Sequence, residues 1–186
     1  MVGLIQSAKV AVLGAGTMGT GIAQVAATAG HSVYLYDIDE NRVAQGIENI
    51  EAGLEKLVNK ERISAESKLE ILSKITAATQ LVDLQHTDLI IEAIVEDLEV
   101  KQQVFTKLEK ICHTGTLFAT NTSSQSITAI GSALNKPERL VGMHFFNPAP
   151  VMKLVEIVTG KASDPAVANV VYDTAKSLSL IHISEP

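Results

Sequence analysis

The chain has 186 residues, 46% of them hydrophobic, and a formal net charge of −6. That is enough apolar material for one sizeable packed domain, and it excludes global disorder. Its positive charges are scattered rather than gathered into a stripe, which argues against a nucleic-acid-binding protein.

The opening segment "MVGLIQSAKVAVLGAG" has no basic start followed by a long apolar core, so it does not read as a signal peptide. No apolar run reaches the ~18 residues of a membrane span. The single cysteine, Cys112, cannot form an internal disulfide. A reducing cytoplasmic compartment is the simpler reading, with this thiol packed at a helix end rather than acting as a nucleophile. The five histidines show no metal-ligand spacing.

"KVAVLG" (residues 9–14) is a short apolar, β-branched run ending in glycine, the pattern of a buried parallel strand. "TMGTGIAQVAATAG" then predicts a helix stopped by Gly30, and "HSVYLYD" a second strand ending in Asp37. Residues 40–60 predict an amphipathic helix, with Val43, Ile47, Ile50, Leu54 and Leu57 stepping by three and four. A further helix over 64–74 completes a long helical arm. After it, "DLIIEAI" predicts a strand, "LEVKQQVFTKLEKI" a helix, "TLFATNTS" a strand, "SITAIGSAL" a helix and "RLVGMHFF" a strand. "VMKLVEIV" follows, and a last helix starts at Asp164. The alternation predicts an α/β fold with a mostly parallel, doubly wound sheet.

"GAGTMG" sets Gly14, Gly16 and Gly19 in a G-x-G-x-x-G pattern, with Thr17 and Met18 between the last two. Gly14 permits the turn off the strand, Gly16 lets a pyrophosphate approach the backbone, and Gly19 lets helix pack on strand. The helix N-terminus offers free N–H groups to the anion. Asp37 closes the next strand about 20 residues on, where a ribose-binding carboxylate belongs. No arginine immediately follows it, and a carboxylate repels a 2′-phosphate, so the pattern favours NAD over NADP. FAD-binding and methyltransferase folds share the loop and stay open as rivals at this point.

Three further strand ends carry polar residues: Glu92, Glu96 and Lys101; Asn121, Thr122, Ser123 and Ser124; and His144 with Asn147. Each has a bland alternative. Glu96 and Asp97 fit first-turn helix acids, Ser123 or Ser124 fits a helix cap, and His144 fits a satisfied core histidine. One spacing favours chemistry. Position 150 lies midway between 144 and 156, so a symmetric turn at "NPAP" makes His144 and Glu156 cross-strand neighbours. There a carboxylate would fix the imidazole tautomer and raise its basicity.

Together, "GAGTMGTGIAQ", "IEAIVED", "NTSS" and "HFFNPAPVMKLVEIV" resemble the NAD-binding domain of the L-3-hydroxyacyl-CoA dehydrogenases over about residues 7–177. Four ordered motifs displace the FAD and methyltransferase readings. The 6-phosphogluconate and hydroxyisobutyrate dehydrogenases share the glycine loop but are not expected to carry "NTSS" with "HFFNP". The resemblance implies NAD as cofactor and an acyl-CoA substrate. It implies His144 as general base, Glu156 as its partner, and Ser123 on the substrate oxygen near the nicotinamide. Asp37, Glu96, Lys101 and Asn147 match cofactor-contacting positions. The helical arm corresponds to a coenzyme A-binding arm, with Lys60 and nearby Lys56 at its phosphate; a serine used by relatives falls on Gly53. A solvated helix normally carries such lysines, so their bland alternative stands.

The family continues with a helical domain that supplies a catalytic asparagine and most of a homodimer interface. The expectation is therefore an NAD-binding domain over 1–177 and a non-native tail over 178–186, since "LSLIHISEP" resembles a translated sequencing adapter. Two classes of function remain: a dehydrogenase represented by its cofactor domain, or a non-catalytic NAD-binding or scaffold protein that kept the fold.

Overall fold

Strand β1 (Lys9–Leu13) has apolar side chains at every position after Lys9, and all four are buried. A strand covered on both faces needs helices above and below, and the following elements supply them. The computed structural model describes residues 8–152, 154–178 and the backbone of 181–184. In chain order come α1 (Thr17–Thr28), β2 (Ser32–Tyr36), α2 (Glu40–Asn59), α3 (Ala65–Ser73), β3 (Ile75–Ala78), β4 (Leu89–Glu92), α4 (Leu98–Ile111), β5 (Leu117–Thr120), α5 (Ile127–Gly131), β6 (Leu140–Phe145), β7 (Leu154–Thr159), α6 (Pro165–Ser177) and β8 (Ile181–Ser184).

The strands form one sheet in the order β3-β2-β1-β4-β5-β6-β7-β8. Strands β1 to β6 are parallel, and β7 runs antiparallel to β6. This is a Rossmann-type doubly wound α/β fold with a helical arm after its second strand and an antiparallel pair near its end. The chain direction across the sheet reverses between β1 and β4, and that reversal leaves a crevice beyond their carboxyl ends.

Side-chain alternation sends the two faces to two cores. Val10, Val12, Leu89, Ile91, Met143, Phe145, Val155 and Ile157 pack with α1, α2, α3 and α6. Ala11, Leu13, Ile90, Phe118 and Leu140 pack with α4 and α5. Parity therefore puts Glu92, Thr120, His144 and Glu156 on the α4/α5 face, at or just beyond the carboxyl ends of their parallel neighbours.

The arm is seated by its own periodicity. Val43, Ile50 and Leu54 are buried, while Ile47 and Leu57 pack partly against the same core. Asp39 caps α2 by accepting from the Asn41 amide at 3.0 Å, and Ser64 caps α3. Lys68 ties α3 to α2 through Glu55 at 2.7 Å and Glu51 at 3.2 Å. A Cβ at Gly46 would lie 3.0 Å from Thr20 Oγ1, so α2 lies hard against α1.

Three elements depart from the sequence reading. The arm ends in β3, which joins the edge of the sheet beside β2 rather than leading directly to β4. Its four residues include two exposed positions, too little pattern to announce a strand. Helix α5 covers only five residues, because the chain turns after Gly131. Finally, β8 pairs parallel to β7, inside the stretch assigned to a foreign tail. No helix among the described residues is long and apolar enough to cross a membrane.

Candidate active site

The phosphate loop has room where an anion would sit and none elsewhere. Gly14 has φ +97°, a conformation other residues rarely adopt, and its amide donates to Tyr36 O at 2.8 Å. An added Cβ at Gly19 would fall 1.7 Å from Gly14 O, whereas one at Gly16 meets nothing within 4 Å. The open space at Gly16 faces the first turn of α1, where the amides of Thr17, Met18 and Gly19 lack intrahelical acceptors. The residues present thus fit a dinucleotide pyrophosphate.

Asp37 closes the same crevice. Its Oδ2 accepts the Ala15 amide at 2.8 Å and its Oδ1 the Asp39 amide at 3.1 Å, so the carboxylate is fixed between loop and arm. A cleft of about 540 Å³ opens beside it, lined by Gly14, Gly16, Asp37, Ile38, Val95 and Val100 among others. Ile38 is 93% exposed and Val95 63% exposed, a pair of apolar surfaces fit for the faces of an adenine ring. Neither residue was singled out from the sequence; for Ile38 the available signal was a large apolar side chain directly after Asp37. Arg42 also lines the cleft, five positions beyond Asp37, and it approaches Asp39 at 4.0 Å. Asp37→Ala should weaken NADH binding by roughly tenfold or more, the value of a lost charged hydrogen-bond acceptor. Nucleotide fluorescence titration measures it, and unchanged affinity would remove Asp37 from the ribose site.

On the α4/α5 face, β6 and β7 align His144 opposite Glu156. His144 Nδ1 lies 2.9 Å from Glu156 Oε2, and the imidazole packs on Phe146 with ring centroids 4.8 Å apart. The carboxylate only accepts, so Nδ1 donates to it, and in the neutral ring Nε2 is the nitrogen with the lone pair. Ser123 is exposed, and its hydroxyl has no partner among the described residues. Neither Ser123 nor Ser124 caps a helix; Ser126 caps α5. Asn121 joins the serine loop to the histidine strand, because its Oδ1 accepts the Phe145 amide at 2.8 Å. Asn147 is exposed just beyond β6, before a cis Asn147–Pro148 bond.

Between these parts lies a buried ion cluster. Lys101 Nζ reaches Glu92 Oε1 at 2.7 Å and Glu96 Oε2 at 3.1 Å. Its side chain is 1% exposed, and of its two carboxylate partners only Glu96 reaches the surface. Asp97 is the cap of α4, accepting from the Val100 amide at 3.0 Å. Burial opposes the charge on Glu96, but hydrogen bonds from Thr122, Lys101 and Ser124 with the Lys101 charge outweigh it and hold the carboxyl at about 2. His31, buried beneath β1 and β2, is held below its ordinary value by desolvation, which the Ala8 carbonyl partly offsets.

Both groups bind protons less readily when folded, so stability should fall on acidification in two steps. The first begins below 6.5, the ordinary histidine value, as unfolded chains protonate at His31. The second lies between the ordinary 4.5 of Glu96 and about 2. Urea unfolding against pH tests this, and His31→Gln should remove the upper step alone.

Lys56 and Lys60 are exposed at the end of α2 and make no ion pair among the described residues. A second groove of about 520 Å³ runs from Gly53 and Leu57 on the arm to Ala149, Pro150 and Val151 beyond β6. Cys112 is a free buried thiol raised to about 11 by desolvation, against the Arg139 charge. No group of three metal-ligating side chains occurs among the described residues.

The glycine loop at the sheet reversal, the carboxylate on the next strand and the apolar cleft between them define a Rossmann-type dinucleotide-binding domain. Residues 9–184 match the family model of the 3-hydroxyacyl-CoA dehydrogenase NAD binding domain, and the chain belongs to that family. It is 42% identical over 175 residues to a 3-hydroxybutyryl-CoA dehydrogenase of Clostridioides difficile, covering 94% of this chain and 62% of the relative. It is 48% identical over 160 residues to the 3-hydroxyadipyl-CoA dehydrogenase of Escherichia coli K12, covering 86% of this chain but 34% of the relative. A crystal structure of 3-hydroxybutyryl-CoA dehydrogenase from E. coli K12 superposes with a TM-score of 0.94 at 44% identity, over 96% of this chain and 38% of that one. The chain therefore spans about a third to two thirds of the length of these relatives.

Proposed function

We propose that the chain is the cofactor half of an enzyme that reversibly oxidises (S)-3-hydroxyacyl-CoA to 3-oxoacyl-CoA. The observation that carries this reading is the His144–Glu156 pair, in register on adjacent strands and 2.9 Å apart. Glu156 holds the Nδ1 proton, which leaves Nε2 as the base for the substrate 3-hydroxyl. Ser123 donates its free hydroxyl to the same oxygen. As His144 takes the hydroxyl proton, the C–H bond at C3 breaks and its electron pair leaves as hydride. Gly14, Gly16, Thr17, Met18, Gly19 and Asp37 would hold NAD, which when bound would supply the hydride acceptor. Glu96 and Asn147 would contact the bound cofactor, and Lys101 would act on it through Glu96. In reverse, protonated His144 returns the proton to the oxygen.

Lys56 and Lys60 would take the phosphates of coenzyme A, and the groove from Gly53 to Val151 would carry its pantetheine arm toward β6. The names of the relatives, hydroxybutyryl- and hydroxyadipyl-CoA dehydrogenases, favour short acyl chains. The free buried thiol suits a reducing compartment such as the cytoplasm. Assaying a form extended beyond Ser177 with acetoacetyl-CoA and NADH tests the proposal. Steady NADH oxidation is expected; an extended protein that binds NADH and leaves acetoacetyl-CoA untouched supports the scaffold reading instead.

A further inference from the structure

Glu92 ends β4, and the chemistry above gives it no task. It is fully buried yet charged, which is costly unless every lone pair is used. It accepts from Lys101 Nζ at 2.7 Å, from the Ile94 amide at 2.8 Å and from Thr120 Oγ1 at 2.7 Å. Thr120 is its register partner on β5. Lys101 passes the constraint outward to Glu96. Glu96 Oε1 in turn accepts from the hydroxyls of Thr122 and Ser124, the latter at 3.1 Å. Thr122 Oγ1 then accepts the Gln125 amide at 2.8 Å and the Ser124 amide at 3.3 Å. Ser123 lies between these two clasped residues, with its own hydroxyl unengaged.

We infer that Glu92 is a positioning residue whose buried carboxylate, acting through Lys101 and Glu96, clasps the 122–124 loop and holds Ser123 in place. The chain of contacts runs from the end of β4 through Lys101 and Glu96 to the loop. Asn121 anchors the loop's other side to β6. With the clasp closed, Ser123 is set relative to His144 before any substrate arrives, so none of the binding energy is spent ordering the loop. A buried cation with a single carboxylate partner would be drawn toward it, and Glu96 would follow Lys101 instead of holding Thr122 and Ser124. The kinetic consequence rests on the dehydrogenase reading; the structural one does not.

Glu92→Gln keeps the shape and removes the charge. In the 186-residue chain without nucleotide, hydrogen exchange at the Ser124 and Gln125 amides should accelerate by roughly tenfold or more, as expected when a charged hydrogen-bond network opens. Exchange within α6, remote from the clasp, should stay as in the parent. Unchanged loop protection in a folded variant overturns the inference, and so does an equal rise in α6, which signals general loosening. Should Glu92→Gln fail to fold, Thr120→Val removes one bond to Glu92 and keeps the charges; loop exchange must then rise by a smaller factor, and no rise overturns the idea. In the extended protein, Glu92→Gln should lower kcat for acetoacetyl-CoA reduction by about tenfold while changing the KM for acetoacetyl-CoA little. An equal loss through KM alone counts against positioning of Ser123. If the unsubstituted extended protein fails to turn over acetoacetyl-CoA, the dehydrogenase reading falls while the exchange result still decides the clasp.

Discussion

Replacing His144 by glutamine in the extended protein should lower kcat for acetoacetyl-CoA reduction by about a thousandfold, within the range general acid–base catalysis contributes. Glutamine is close to histidine in length and polarity, so β6 and its pairing with β7 should survive. What is lost is a nitrogen that can exchange a proton near neutral pH. NADH affinity should remain within about twofold, because a role confined to chemistry leaves binding unchanged. Glu156→Gln should fall between the parent and His144→Gln. It keeps a group opposite Nδ1 but can present an amide donor there and favour the wrong tautomer. Fluorescence titration with NADH and steady-state kinetics together check all three statements. Activity of His144→Gln within tenfold of the parent would move the proton transfer to another group.

The sheet core was legible because its strands are buried on both faces and read as unbroken apolar runs, as "KVAVL" and "LIIE" do. Helix α4 was legible to the residue, since Asp97 caps it and its apolar spacing persists to Ile111. Short edge strands were not. β3 has one neighbour and two exposed side chains, so neither alternation nor continuity marks it. At the site, the cross-strand address of His144 and Glu156 followed from the symmetry of the turn at "NPAP", and their register is that of directly opposed residues. Val95 and Val100, which line the cleft beside Asp37, were illegible for the opposite reason. Exposed apolar side chains far from Asp37 in sequence carry no period, and only the sheet reversal brings them to one cleft with it. Glu92 was visible as a polar strand end, but its three hydrogen-bond partners come from three segments, and no spacing within one segment announces them.

The phosphate loop yields the other large effect, and it separates folding from binding at two glycines three positions apart. Gly19→Ala places a carbon 1.7 Å from the Gly14 carbonyl oxygen, a backbone atom that cannot swing aside. Strand β1 and helix α1 must part, at an overpacking cost of about 1–3 kcal/mol or more. The melting temperature should fall by roughly 5–10 °C in a chain of this size. NADH binding should vanish with it, since the amides of Thr17 and Met18 shift with the helix. Gly16→Ala differs in kind. Gly16 has φ −73°, which alanine adopts without strain, and no atom lies within 4 Å of the new methyl. Stability should stay within about 1 kcal/mol of the parent, the scale of a small change at a helix N-cap. The methyl would occupy the space a pyrophosphate needs, so NADH affinity should drop by a hundredfold or more, on the order of 3 kcal/mol of lost contact. Calorimetry and nucleotide titration on both variants distinguish the cases. A Gly16→Ala protein that binds NADH as the parent does would show that the cofactor does not approach the backbone there.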